Sequence, residues 1–172
     1  QGLFEKVRKL RSGLVEFRDS DENLVSMASA LEFMHRCHED ITQKGFFDWC
    51  SSIKRSEKLQ LLIIDDDRAT RNLLQVSIRR TDNPPNMLLF PDAIEALQFI
   101  ETPTDGFSVK SPTLILLDLF MPGMDGLEFL EKFKSFELCK YSKVFMLTGS
   151  TNVAHKKEAL EKGATAFLQK SN

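Results

Sequence analysis

TLILLDLFMPGMDG, residues 113–126, combines a strand pattern, an acid, a turn and the start of a helical pattern. It opens with an uninterrupted apolar run, Leu114–Leu117, which is typical of a strand buried on both faces in a parallel sheet covered by helices. The run ends at Asp118, and turn residues then lead into apolar positions with helical spacing. A carboxylate at the carboxyl end of a parallel strand lies where open α/β sheets bind their ligands. The alternative, that Asp118 only ends the strand, stays open at this point.

A second group of acids follows another short apolar run. Leu61–Ile64 is followed directly by Asp65, Asp66 and Asp67. Because parallel strands have their carboxyl ends at one edge of the sheet, we expect these acids to lie near Asp118. Carboxylates held together repel each other unless a cation joins them, and oxygen ligands of this kind suit a hard ion such as Mg²⁺. The alternative is a solvated turn, and Asp67 fits it best as the N-cap of the following helix.

Four motifs together resemble the receiver domain of two-component response regulators. They are LLIIDDD (61–67), LILLDLFMPGMDG (114–126), VFMLTGS (144–150) and GATAFLQK (163–170), in the order and spacing of that family. The resemblance covers residues 59–172. It implies a flavodoxin-like sheet with strand order 2-1-3-4-5, preceded here by an α-helical extension.

The pattern from residue 59 onward alternates strands and helices, which predicts a doubly wound five-stranded parallel sheet with right-handed crossovers. The predicted strands are 60–65, 86–90, 113–118, 143–148 and 165–169. The predicted helices are 68–81, 92–101, 126–138 and 152–162. The predicted receiver domain is 58–172, and it lacks the fifth helix of the family.

The resemblance assigns a phosphoryl-accepting role to Asp118. It also implies that Asp65, Asp66, Asp118 and the backbone carbonyl of Phe120 bind Mg²⁺. An ionised carboxylate is a competent nucleophile without a separate base. The metal ion neutralises charge on the transferring oxygens. Phe120 is bulkier than most residues at its place in the family, and we expect its ring to screen the phosphoryl group from water.

Further roles follow from the resemblance at the ends of the last two strands. Thr148 offers a hydroxyl and Lys170 an ammonium to phosphoryl oxygens. Gly149 leaves room for a phosphodonor, and Phe167 matches the switching aromatic of the family. Each of these residues could instead have only a structural role, as an ordinary strand-end, core or surface residue. Lys170 is followed by Ser171 where the family usually has proline, which leaves the orientation of the lysine open.

Residues 1–57 form a helical extension in our interpretation. Apolar residues recur at heptad-like spacing along 3–17 and again along 24–41, and we expect these stripes to pair in a homodimer. His35 and His38 lie on or beside the second stripe and lack the patterns expected around a phosphotransfer histidine, so we interpret them as structural. The stretch 46–59, which contains Trp49, is predicted to cover the sheet face that a fifth helix would cover.

Composition sets limits on the class of protein. The chain has 172 residues, 42% hydrophobic and 28% charged, with a net charge of -2. This suits one globular domain with an extension and gives no sign of a nucleic-acid or membrane-binding surface. No apolar run approaches the length of a membrane span. Cys37, Cys50 and Cys139 show no metal-binding spacing and are expected to be reduced thiols in a cytoplasmic protein.

Three functions are compatible with these patterns. The first is a phosphoacceptor receiver that takes phosphate from a sensor histidine kinase or a phosphotransfer protein and catalyses only its own phosphoryl transfer and dephosphorylation. Phosphorylation would switch its conformation or dimer state, and nucleic acid would be reached only through an output domain outside this chain. The second is a pseudo-receiver that binds partners without phosphorylation, against which the full set of site residues argues. The third is a magnesium-dependent phosphatase, which would need an aspartate where Phe120 stands.

Overall fold

Strands and helices alternate along the part of the chain that the computed structural model describes, residues 59–79, 85–104 and 106–170. The elements in chain order are β1 (Gln60–Ile64), α1 (Arg68–Arg79), β2 (Asn86–Phe90), α2 (Ala93–Glu101), β3 (Thr113–Asp118), α3 (Gly126–Phe133), a short 3₁₀ helix (Glu137–Tyr141), β4 (Ser142–Thr148), α4 (Val153–Glu161) and β5 (Ala166–Gln169).

The five strands form one parallel sheet in the order β2-β1-β3-β4-β5, which confirms the predicted topology. The register places Ile64 beside Leu117, and Asp118 beside Leu147. Strands β1, β3 and β4 therefore end at nearly the same level, and the residues that follow them meet at one edge of the sheet.

Every residue of β1 and β3 is buried, as the uninterrupted apolar runs predict. On one face of the sheet, side chains such as Ile64 and Leu117 pack in a core with Phe129 of α3 and Ile100 of α2. Phe129 and Phe133, one helical turn apart, stack with their ring centroids 5.3 Å apart and give α3 its apolar face.

The opposite face of the sheet is buried as well. Ile63 and Phe145 are fully buried, and α1 contributes the buried residues Leu74 and Ile78.

The predicted cover from residues 46–59, including Trp49, lies outside the described residues. The helical extension 1–57, its dimer interface, the two histidines and the first two cysteines within it lie outside them too. Within the described ranges, no helix is long and apolar enough to cross a membrane.

The predicted helix 126–138 is wrong at its C-terminal end. Helix α3 ends at Phe133, and the chain continues as the 3₁₀ helix only after Phe136, which has extended backbone angles (φ -85°, ψ 143°). Ser135 explains the break, because both its hydroxyl and its backbone N–H donate to the carbonyl oxygen of Lys132, at 2.8 and 3.2 Å. A serine that bonds to the preceding turn in this way competes with the regular helical hydrogen bonds.

Candidate functional site

Three carboxylates meet at the carboxyl edge of the sheet. One carboxylate oxygen from each of Asp65, Asp66 and Asp118 lies within 4.8 Å of the others. Asp118 is the last residue of β3 and is 6% exposed, while Asp65 directly follows β1 and is 2% exposed. Asp66 is solvent-exposed. The structure thus brings together the acids that the sequence placed at the ends of two neighbouring strands.

The ammonium of Lys170 joins the two buried acids. Its Nζ lies 2.7 Å from Oδ2 of Asp65 and 3.2 Å from Oδ1 of Asp118. Lys170 directly follows β5, and its backbone N–H donates to the carbonyl oxygen of Thr148 at 2.6 Å. The sequence left the orientation of this lysine open because serine follows it. In the structure the side chain points into the acidic site.

Burial and mutual charge shift the pKa values of these groups. Burial raises the pKa of Asp118 to about 6, and the repulsion of Asp65 adds to the effect, while the Lys170 ammonium acts in the opposite direction. Burial also raises the pKa of Asp65, although hydrogen bonding and ion pairing with Lys170 lower it. Burial alone would lower the pKa of Lys170, but its contacts with the two carboxylates outweigh that effect, so its pKa is raised.

Short backbone contacts hold the two buried carboxylates in place. Oδ1 of Asp118 accepts from the N–H of Leu119 at 2.9 Å, and Oδ1 of Asp65 accepts from the N–H of Asp67 at 2.9 Å. The guanidinium of Arg71, one turn into α1, donates to the backbone carbonyl of Asp65 at 2.6 Å. Sequence analysis missed Arg71, since nothing in its spacing marks it as a residue that fixes the site.

Asp67 has a separate, local role. Its Oδ1 accepts from the N–H of Ala69 at 3.0 Å and its Oδ2 from the N–H of Thr70 at 3.1 Å. These bonds satisfy free donors in the first turn of α1 and confirm the N-cap interpretation.

Gly126 allows α3 to begin directly against the end of β3. Its N–H donates to the carbonyl of Leu119 at 2.8 Å. A Cβ at this position would overlap the backbone carbonyl oxygen of Asp118 and would lie 2.8 Å from the terminal methyl of Met146. The loop after Asp118 therefore leaves no space for a side chain at this position.

The donor set fits a hard divalent cation. It consists of carboxylate oxygens alone, and Oδ2 of Asp65 is buried with no contact among the described residues other than its ion pair with Lys170. Magnesium favours oxygen ligands and is typically held by one or two carboxylates with waters and phosphate oxygens. Asp65, Asp66 and Asp118 are therefore residues that can hold such an ion.

The remaining predicted site residues lie at different depths around the acids. Thr148 is fully buried at the end of β4, where its hydroxyl accepts from the N–H of Ser150 at 3.2 Å. A Cβ on Gly149 would meet no atom within 4 Å, so the space beside it is open. Phe120 is 55% exposed, whereas Phe167 is buried in the core.

Sequence reasoning did not identify the contacts of His155 and Ser150, two residues close to the acidic site. The imidazole of His155 packs edge-to-face on Phe120, with ring centroids 5.3 Å apart, and its Nδ1 is hydrogen-bonded to the hydroxyl of Ser150 at 3.0 Å. The available signal was a histidine in the helix that follows Thr148, but spacing along the chain does not reveal a contact between that helix and the loop after β3.

The fold and the site together define a doubly wound α/β domain with a lysine-bridged acidic cluster at the carboxyl edge of its parallel sheet. The chain belongs to the response regulator receiver domain family, whose model matches residues 61–172. It is therefore a receiver domain of the kind found in two-component systems. Receiver domains of response regulators interact with histidine kinases or phosphotransfer proteins.

Known relatives and solved structures agree with this assignment. The chain is 30% identical over 112 residues to the response regulator MprA of Mycobacterium sp. strain KMS, a match that covers 65% of this chain and 44% of MprA. It is 36% identical over 115 residues to a protein-glutamate methylesterase/protein-glutamine glutaminase of Nitrosomonas europaea, which covers 66% of this chain and 30% of that protein. The chain thus spans less than half the length of these curated relatives.

Two of the similar solved structures carry the same fold. The phosphorylated cyanobacterial phytochrome response regulator RcpA is 25% identical, with a TM-score of 0.59 over 66% of this chain and 81% of that chain. The Mn²⁺-bound form of response regulator Rcp1 is 27% identical, with a TM-score of 0.56 over the same shares of the two chains, 66% and 81%.

Proposed function

We propose that this domain is a phosphoacceptor in which Asp118 takes a phosphoryl group from a sensor histidine kinase or a phosphotransfer protein. One observation carries the proposal. The Lys170 ammonium contacts both Asp65 and Asp118, at 2.7 and 3.2 Å, within a cluster of three carboxylates. The site therefore holds a cation beside the proposed nucleophile, and an ammonium in this place can pair with a phosphoryl oxygen.

The nucleophile needs no general base. With its pKa raised to about 6, Asp118 is about nine-tenths ionised at pH 7. A carboxylate oxygen of Asp118 forms a bond to phosphorus as the bond from phosphorus to the donor atom breaks, and the product is an acyl phosphate. The bonding electrons leave with the donor group, and no proton is taken from Asp118.

Magnesium is the cofactor that we propose, held by Asp65, Asp66, Asp118 and the backbone carbonyl of Phe120. When bound, it would supply the positive charge that a loose phosphoryl-transfer transition state requires. The resemblance to an Mn²⁺-bound response regulator and the all-oxygen donor set support this choice.

Residues of the chain itself would bind the transferred group. The Thr148 hydroxyl, which now accepts from the N–H of Ser150, would donate to a phosphoryl oxygen, and the Lys170 ammonium would pair with another. Gly149 borders open space that suits the approach of a phosphodonor. Phe167 lies in the hydrophobic core, where a change in its packing would transmit the effect of phosphorylation from the carboxyl edge of the sheet.

The cellular role follows from the same proposal. Phosphorylation would change the conformation or the dimer state of the protein and so control an output. We assign the chain a cytoplasmic signalling role and no enzymatic action on other substrates. The methylesterase relative shows that a similar chain can also form part of a larger enzyme.

Intact-mass spectrometry after incubation with acetyl phosphate and Mg²⁺ tests the proposal. We expect the mass of one phosphoryl group to be added to the wild type, and nothing to be added in EDTA or in Asp118→Asn. Asp67→Asn is the matched control, because it makes the same change two residues from Asp65 and asparagine still caps the helix. This control should be phosphorylated like the wild type. A modification that persists in Asp118→Asn would show that the assignment is wrong.

A further inference from the structure

The rings of Phe120, in the loop that follows Asp118, and His155, at the start of α4, form a bridge between these two segments. Phe120 lies two residues after Asp118, and His155 lies in the first turns of α4, just after the loop that follows Thr148. Their rings meet edge-to-face, with centroids 5.3 Å apart and planes at 76°. Because β3 and β4 are neighbours in the sheet, the bridge spans the gap between the two strand ends nearest the nucleophile.

The imidazole of His155 is held by Ser150, which follows Thr148 by two residues. Its Nδ1 is hydrogen-bonded to the Ser150 hydroxyl at 3.0 Å, and the same hydroxyl accepts from the N–H of Asn152 at 3.2 Å. The backbone N–H of Ser150 in turn donates to the Thr148 hydroxyl at 3.2 Å. A continuous chain of contacts therefore runs from the buried Thr148 to the ring of Phe120.

This arrangement explains how an exposed aromatic ring can be held in place. Phe120 is 55% exposed, and a side chain with so much free surface would otherwise keep its rotational freedom. The edge-to-face contact with His155 favours one orientation of the ring. His155 itself is half-buried and is hydrogen-bonded to Ser150, so it has a partner besides Phe120 that fixes its ring.

We propose that His155 is a positioning residue that holds the Phe120 ring across the rim of the site and thereby slows hydrolysis of the phosphorylated form. The inference rests on the proposed function. In hydrolysis, a water oxygen bonds to phosphorus, the bond between phosphorus and the Asp118 oxygen breaks, and Asp118 leaves as a carboxylate while the proton of the water passes to solvent or phosphate. Phe120 follows Asp118 by two residues, so a ring kept in one orientation there would obstruct one approach of that water. Its effect arises from packing and does not depend on the charge of the imidazole.

Dephosphorylation rates of matched variants test the proposal. Each protein is loaded with acetyl phosphate and Mg²⁺, freed of donor by desalting, and followed by intact mass. His155→Ala should lose its phosphoryl group about two- to tenfold faster than the wild type, the range expected from the strength of edge-to-face contacts. Phe120→Ala should be accelerated at least as much. The double variant should be no faster than Phe120→Ala, because His155 acts only through that ring.

Two further variants separate positioning from a general structural effect. His155→Phe keeps an aromatic ring against Phe120 and should restore slow hydrolysis. Val153→Ala changes a residue on the same helical turn that is 78% exposed, and it should leave the rate unchanged.

Each alternative outcome has a distinct meaning. If His155→Ala is loaded normally and hydrolyses at the wild-type rate, His155 does not position the ring. If the effects of the two single variants multiply in the double variant, the residues act independently and the proposal is wrong. A wild type that takes up no phosphoryl group refutes the proposed function, and this inference with it, whereas loading with unchanged rates refutes the inference alone.

Discussion

Replacing Asp118 by asparagine should stabilise the metal-free protein at neutral pH. Burial raises the pKa of this carboxyl group from its ordinary 3.8 to about 6 in the folded chain. The folded state therefore holds the proton more tightly than the unfolded state, and its stability falls as pH rises through 6. One pH unit corresponds to about 1.36 kcal/mol, so ionised Asp118 costs the fold about 3 kcal/mol above pH 7. Asparagine has nearly the same shape and does not ionise.

Urea unfolding of wild type and Asp118→Asn in EDTA measures this cost. Part of the cost is already present at pH 4, so the stability difference between the two proteins should grow by about 2 kcal/mol between pH 4 and pH 8, in favour of the variant. The neighbouring carboxyl of Asp65 reinforces the trend, because its repulsion from Asp118 disappears in the variant. A difference that is constant with pH, or a wild type that becomes the more stable protein at pH 8, would refute the electrostatic reasoning.

Two further predictions concern other parts of the chain. Gly126→Ala should lower the free energy of unfolding by about 1–3 kcal/mol, since its Cβ would overlap the carbonyl oxygen of Asp118. Gly149→Ala, where a Cβ meets nothing within 4 Å, should change the free energy of unfolding by less than about 0.5 kcal/mol. Equal effects of the two variants in urea unfolding would contradict the packing argument. If the helical extension forms a dimer, glutamate at both Leu10 and Leu31 should give a monomer in light scattering, because two charges in an apolar seam cost several kcal/mol; an unchanged oligomer or a monomeric wild type would refute that hypothesis.

The sheet and its acidic edge were predictable because they depend on local pattern. An uninterrupted apolar run can be satisfied only by burial on both faces, and β1 and β3 are buried throughout. Parallel pairing then fixes which strand ends meet, so the sequence alone predicts that Asp65, Asp66 and Asp118 lie together, as they do. The orientation of Lys170 could not be predicted from the sequence, because the residue that follows it departs from the family pattern.

The end of α3 and the contact of His155 depend on contacts that the spacing of residues along the chain does not predict. The end of α3 at Phe133 is set by one hydroxyl, that of Ser135, and the apolar pattern continues past it. His35 and His38 lie outside the described residues, and among the described residues the imidazole that packs on Phe120 is that of His155. Its contact with Phe120 exists because the loop after β3 meets the first turn of α4, and a periodic pattern along the chain does not predict the path of a loop.

The electrostatics of the site connect its stability to its proposed chemistry. Two buried carboxylates, those of Asp65 and Asp118, share one ammonium from Lys170, and the raised pKa of Asp118 shows that this ammonium does not fully offset burial and repulsion. The folded chain thus retains uncompensated negative charge at an edge whose third acid, Asp66, faces solvent. By linkage, a divalent cation that binds the ionised carboxylates lowers the pKa of Asp118 and stabilises the folded state. The uncompensated negative charge that we expect to make asparagine the more stabilising residue at this position is therefore the same property that favours the binding of a cation there.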